Sequence, residues 1–210
     1  MSDFKYNKVM EKMFEMSYFN APITNKVPLT TLSLQEVAAI IKSRELEPQT
    51  LAHRAVSDEG KARSYKGSHF PYVTPAGVFS YCNDQSLLKH SNVLCMDLDH
   101  IEDVDGLKQQ LITEKPFNTL MVFRSPSGYG LKWFLEIDLQ RCGHRMWFDA
   151  VRNYLMSIYG LSPKQVDPSV RNESRACFLC YDPEVYVNPN LHTGSRATLL
   201  PSGGRTAPIV

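Results

Sequence analysis

The chain has 210 residues, 43% of them hydrophobic and 21% charged, with a formal net charge of +1. Such a chain builds one sizeable core with at most a small satellite, which excludes disorder over the whole length and two full domains. No uninterrupted apolar run reaches membrane-spanning length, so a soluble protein with no membrane partner is expected. The charge is uneven: residues 1–66 carry ten Lys/Arg against eight Asp/Glu, residues 67–139 five against nine, and residues 140–210 eight against five. An acidic middle between mildly basic flanks suits a cation site ringed by anion-binding groups. Five cysteines, an odd number with no signal-peptide pattern, point to the reducing cytoplasm.

Residues 1–28 read as an N-terminal arm, since Pro22 and Pro28 interrupt any regular element. A helix follows, with Ser33 as N-cap, Glu36 three residues on, and Leu34, Val37, Ile40 and Ile41 on one face. Pro48 suits the first turn of a second short helix through Leu51 and Val56. The stretch 64–81, with two prolines and two glycines, reads as an irregular crossing followed by a strand from Gly77 to Tyr81. Within it Lys66 and His69 are either phosphate contacts or, respectively, a solvated charge and a ring packed beside Phe70 and Tyr72.

Residues 93–99, VLCMDLD, form an apolar strand whose alternation puts Asp97 and Asp99 on one side and turns Leu98 to the core. Two carboxylates on a rigid element are the ligands a hard divalent cation prefers, although acids at a strand end are also commonly just solvated. A helix with Val104, Leu107 and Leu111 on its buried side comes next, and Glu102, Asp103 and Asp105 complement its N-terminus. Residues 117–137 read as strand, tight loop and strand. In the loop, Ser125, Ser127, Gly128 and Gly130 have the chemistry to cradle an anion, and Lys132 adds a point charge; the alternative is an ordinary glycine-rich hairpin.

Residues 143–159 form an amphipathic helix with Trp147, Val151, Tyr154, Leu155 and Ile158 in one stripe. Arg145 and Arg152 lie off that stripe, towards solvent or a nucleic-acid backbone. Asp167 is then a lone acid at a strand or turn, and Arg171 and Arg175 precede an apolar strand from Ala176 to Tyr181. On that strand Cys177 and Cys180 face opposite ways and lack partners for a zinc set, so they read as buried thiols. Beyond Leu200 the composition is that of a linker.

The strings YKGSHFPYVTPAGVFSY, VLCMDLDHIED, FRSPSGYGLKWF and VDPSVRNESRACFLCYDPEVYVNP resemble the archaeo-eukaryotic primase (primase-polymerase) superfamily. The closer likeness is to its VirE N-terminal-domain branch of bacterial mobile elements and phages, over residues 60–190. The resemblance implies an α+β fold: an RRM-like antiparallel sheet with packed helices, completed by an N-terminal α/β module. The catalytic domain would then span residues 29–195, with a tail at 196–210. It implies a template-directed nucleotidyltransferase, a DNA primase or polymerase acting in DNA replication. Asp97, Asp99 and Asp167 would hold two Mg2+ or Mn2+ ions. Ser127 to Gly130, Lys132 and Arg175 would bind the nucleotide phosphates, with Arg175 paired to Asp182 as the structural alternative. Implied partners are single-stranded DNA template or primer-template, dNTP or NTP, and a helicase or other replication domain C-terminal to this segment. One departure stands out: Lys132 occupies a position where many primase-polymerases have His. A catalytically weak nucleic-acid or nucleotide-binding module of the same fold is the second expectation, and a metal-dependent nuclease a third.

Overall fold

Residues 14–192 are described by a computed structural model. The expected tail at 196–210 and the first 13 residues of the expected arm lie outside them. The described chain is a mixed α+β fold of antiparallel sheets and five α-helices.

The arm contributes β1 (Glu15–Phe19), which pairs on one side with β2 (Thr30–Ser33). Ser33 then opens α1 (Leu34–Lys42) through the expected capping box: its hydroxyl accepts from the Glu36 amide, and the Glu36 carboxylate accepts from the Ser33 amide at 2.7 Å. Such a cap is worth about 1 kcal/mol. It also fixes where the buried face, Leu34, Val37, Ala38 and Ile41, meets the sheet. α2 (Glu47–Arg54) has Pro48 in its first turn, as expected, but Leu51 is exposed and Val56 lies beyond its end.

The irregular crossing expected from residue 64 is instead the second half of a helix, α3 (Glu59–His69), capped by Asp58. No residue of α3 is fully buried, so it carries no apolar stripe, and its two glycines further mask it. β3 (Tyr72–Thr74) pairs with the other side of β1. β4 (Gly77–Phe79) ends two residues short of Tyr81 and forms a hairpin with β5 (Leu87–His90).

The central sheet begins with β6 (Val93–Leu98), crosses through α4 (Val104–Ile112) to β7 (Asn118–Arg124), and returns as β8 (Leu131–Glu136). β8 lies between β6 and β7 and is antiparallel to both, which makes a split β-α-β unit. After α5 (His144–Ile158), the strand expected over 176–181 is reduced to β9 (Cys177–Phe178), which pairs with β3 and not with the central sheet. The chain stays anchored past it because the Leu179 amide donates to the Pro71 carbonyl (2.9 Å) and the Tyr181 amide to Thr50 Oγ1 (3.0 Å). β10 (Tyr186–Val187) closes the central sheet at the β7 edge.

Strand alternation gives the central sheet two apolar faces. Leu94, Met96, Leu98, Leu131, Trp133 and Leu135 pack under α4 and α5, while Val93, Cys95, Phe123 and Phe134 pack against the N-terminal sheet and α1. Asp97 and Lys132 share the second parity, so both face the junction between the two sheets. In α5, Trp147, Val151 and Leu155 are buried as expected, but Ile158, the last residue of the helix, is exposed. Arg145 and Arg152 are occupied by the protein: Arg145 pairs with Asp84 and Glu173, and Arg152 Nε donates to the Val166 carbonyl at 2.9 Å. No described helix is long and apolar enough to cross a membrane.

Candidate functional site: a charged cleft between the two sheets

A cleft of about 330 Å³ opens where the two sheets meet. Asp97 and Lys132 form one wall, Lys26 and Lys66 the other, and the segment Asn172–Phe178 closes it with Arg175 at the edge. Asp97 stands directly opposite Lys132 in the β6–β8 register, and the Asp97 carboxylate is ion-paired through Oδ2 to the Lys132 ammonium. The lysine side chain is only 6% exposed. Burial alone would lower its pKa, but the Asp97 carboxylate, with the neighbouring thiols and Asp99, more than reverses this, so Lys132 stays protonated.

Asp97 Oδ1 is buried and has no hydrogen-bond partner among the protein atoms. A carboxylate oxygen in that situation costs stability unless something else satisfies it. Asp99, two residues on, stands at the cleft rim. Its pKa is raised, first by desolvation and then by the Asp97 charge, while Lys132 and Lys66 oppose the shift. Lys66 comes from α3, with its ammonium 5.5 Å from the Phe178 ring centroid. Its pKa is lowered by burial and then by Lys132, although both carboxylates pull it back up. The Asp97 carboxylate and the ammonium groups of Lys66 and Lys132 therefore share one cleft, with the exposed Asp99 carboxyl beside it.

The segment carrying Arg175 is held from below by Asp84, a residue the sequence gives no reason to choose. Asp84 Oδ1 accepts from the Ser174 hydroxyl (2.6 Å), the Ser174 amide (3.2 Å) and Asn172 Nδ2 (3.2 Å), and Oδ2 accepts from Arg145 (2.9 Å). Burial raises the Asp84 pKa, yet these donors together hold it below the usual carboxylate value. The alternative pairing of Arg175 with Asp182 is not made. Asp182 is taken by Lys108 (3.6 Å) and by the amides of Arg124 (2.8 Å) and Glu184 (3.0 Å).

The inner end of the cleft is lined by Cys95, Cys177 and His144. Cys177 and Cys180 are both buried, and Cys180 donates to the Arg124 carbonyl at 3.1 Å. His69 lies outside the cleft lining: it is exposed and stacks on Tyr65, not on Phe70 or Tyr72, with ring centroids 4.0 Å apart.

The glycine loop has a different setting from the one its composition suggests. The Ser125 amide donates to the Gly130 carbonyl (2.8 Å), the Gly128 amide to the Ser125 carbonyl (2.9 Å), and the Tyr129 amide to Ser127 Oγ (3.3 Å). These donors close the turn, and the Ser125 and Ser127 hydroxyls also pair with each other at 3.1 Å. Its carbonyls are gripped from α2, by Arg54 Nε on Pro126 (3.2 Å) and Nη2 on Ser125 (3.4 Å). Gly128 has φ +85°, a conformation glycine adopts without strain. Gly130 sits so close to β6 that a Cβ there would lie 2.2 Å from the Leu98 carbonyl oxygen. The loop thus presses against the end of the strand bearing Asp97 and Asp99.

Asp167 is solvent-exposed and does not line the cleft. Its segment nevertheless runs along that strand end: the Asp99 amide donates to the Gln165 carbonyl (3.0 Å), and Gln165 Nε2 to the His100 carbonyl (3.2 Å). Among the described residues no group of three His, Cys, Asp or Glu side chains is placed to hold a metal ion. The orphaned Asp97 oxygen and the Asp99 carboxyl fit a share of one hard cation's shell.

Neither the curated proteins nor the solved structures include a detectable match to the chain. The family profile described as "BT4734-like, N-terminal domain" matches residues 64–187, a span that takes in the second half of α3, the whole central sheet and every residue of the cleft except Ile23 and Lys26. On a match covering more than half of its length, the chain belongs to the BT4734-like N-terminal domain family.

Proposed function

We propose that this domain is a primase-polymerase-type nucleotidyltransferase whose nucleotide site is the cleft between the two sheets. The observation that carries the reading is the meeting of Asp97 with Lys66, Lys132 and Arg175 in one cleft, with the exposed Asp99 just past the end of the same strand. A polyphosphate needs several cations held without side-chain reorganisation, and low local dielectric strengthens each contact. The split β-α-β unit also suits the RRM-like sheet that the sequence resemblance implies. The region carrying that resemblance, residues 60–190, nearly coincides with the span matched by the family profile.

In this reading Lys66 and Arg175 bind the phosphates, and the half-buried Phe178 ring, which lines the cleft, offers a surface for a base. Asp97 and Asp99 would hold a Mg2+ or Mn2+ ion. When bound, the ion supplies charge neutralisation on the phosphate chain and lowers the pKa of a coordinated hydroxyl. Asp84 positions the Asn172–Arg175 segment. Lys132 is a poor phosphate ligand while its ammonium is committed to Asp97. Template or primer-template DNA and a following replication domain belong to the same reading, which also places the protein in the cytoplasm.

The test is incubation with single-stranded template, labelled dNTPs or NTPs and Mn2+. Metal-dependent extension products that disappear in a folded Asp97→Ala variant support the enzyme. The commitment of Lys132 to Asp97 favours a second reading, a nucleotide- or nucleic-acid-binding module with little catalysis. Tight strand or nucleotide binding with no product under every metal condition would establish that reading and refute the first.

A further inference from the structure

The Asp97–Lys132 pair is an unusual thing to find at the base of a charged cleft. Lys132 comes from the neighbouring strand in direct register and its side chain is only 6% exposed, so its ammonium is held against Asp97. It satisfies one oxygen of Asp97 and leaves the other buried and unpartnered. Asp99 follows two residues on at the end of the same strand, and Lys66 of α3 lines the cleft opposite Asp97. The carboxylate pair is therefore neutralised by a protein cation on one side and open to a further ligand on the other.

Resting on the reading of Asp97 and Asp99 as a cation site, we propose that Lys132 is a tethered counter-ion that competes with a divalent cation for Asp97. Two positive charges arriving beside an enclosed ammonium meet repulsion that the low dielectric leaves unscreened. Lys132 consequently keeps the empty domain's affinity for a free divalent cation low. An anionic substrate restores the balance, because its phosphates offset the added charge.

The experiment is a titration of the full chain with Mn2+ alone, followed by the electron paramagnetic resonance signal of free Mn2+. The proteins are the wild type, Lys132→Gln, Lys132→Arg, and the Asp97→Asn/Lys132→Gln double variant as the background. Lys132→Gln is expected to bind Mn2+ about tenfold more tightly or better than the wild type, a change of about 1.4 kcal/mol. Lys132→Arg should stay near the wild type, and the double variant should lose the gain. Equal or weaker binding by Lys132→Gln, with the wild type binding above background, overturns the counter-ion and leaves the cation site standing. Binding by no variant above background overturns both.

Removing Lys132 leaves Asp97 unpaired and puts folding at risk, so circular dichroism accompanies each titration. If Lys132→Gln does not fold, the wild type alone decides by nuclear magnetic resonance of its 15N-labelled lysine side chains. Saturating Mg2+ should shift the Lys132 ammonium signal, identified by its loss in Lys132→Arg. An unmoved signal overturns the proposal.

Discussion

His144 gives the most direct quantitative check on how the cleft is built. It is the first residue of α5, only 6% exposed, and its Nδ1 lies 3.1 Å from His90 Nε2. The Asn92 amide donates to His90 Nδ1 at 2.9 Å, so neutral His90 carries its proton on Nε2 and donates it to His144 Nδ1. A second proton on His144 would break that bond and place a charge at the positive end of a helix. Burial, then His90 and Arg145, push the His144 pKa down to about 4, against the pull of Asp84. His90 is lowered as well, by burial against the opposing charge of Glu173. A histidine lowered on folding stabilises the protein above its unfolded pKa of about 6.5, and that stability is lost as pH falls towards the folded value. A shift from 6.5 to about 4 is worth about 3 kcal/mol in full, of which about 2 should be gone by about pH 4.5. Urea unfolding at about pH 7 and about pH 4.5 should therefore show a smaller stability loss for His144→Gln than for the wild type, by about 2 kcal/mol. Equal losses in the two proteins would refute both the enclosure of His144 and the proton assignment.

Asp99 carries the opposite sign. Its raised pKa means that ionisation destabilises the fold as pH rises from its unfolded value through the folded one, so Asp99→Asn should be more stable than the wild type at neutral pH and equal to it in acid. Solvent at the rim keeps the gain below about 1 kcal/mol, measured by thermal unfolding. Asp84→Ala removes the acceptor for Ser174, Asn172 and Arg145 and should cost about 1–3 kcal/mol in urea unfolding. If Asp84 positions the Arg175 segment, the same variant weakens nucleotide binding in calorimetry; unchanged affinity would mean that the segment needs no support.

What the sequence revealed was local. The capping box at Ser33 and Glu36, the buried triad Val104, Leu107 and Leu111, and the inward turn of Leu98 all follow from spacings of two to four residues, and the structure has each of them. α3 escaped notice because a helix with no fully buried residue leaves no apolar period to read. That omission hid the setting of Lys66, whose place in the cleft depends on the helix that carries it. Asp97 and Lys132 were each legible as charged groups on strands, but their pairing depends on the β6–β8 register, which neither stretch encodes alone. The glycine loop shows the same division: its tight turn was readable, while the grip of Arg54 on its carbonyls arises from α2, far away in the chain.

The N-terminal sheet is completed by the two-residue strand β9, which comes from the C-terminal part of the described chain. During synthesis that sheet waits, with the β3 edge unpaired, until nearly the whole domain has emerged from the ribosome. Pairings of such long sequence separation make folding slow and late, and they couple the two sheets into one cooperative unit. A fragment ending before Cys177 would lose the last wall of the cleft along with the strand. Cutting the chain there would yield an aggregation-prone intermediate with a bare sheet edge, not a smaller working domain.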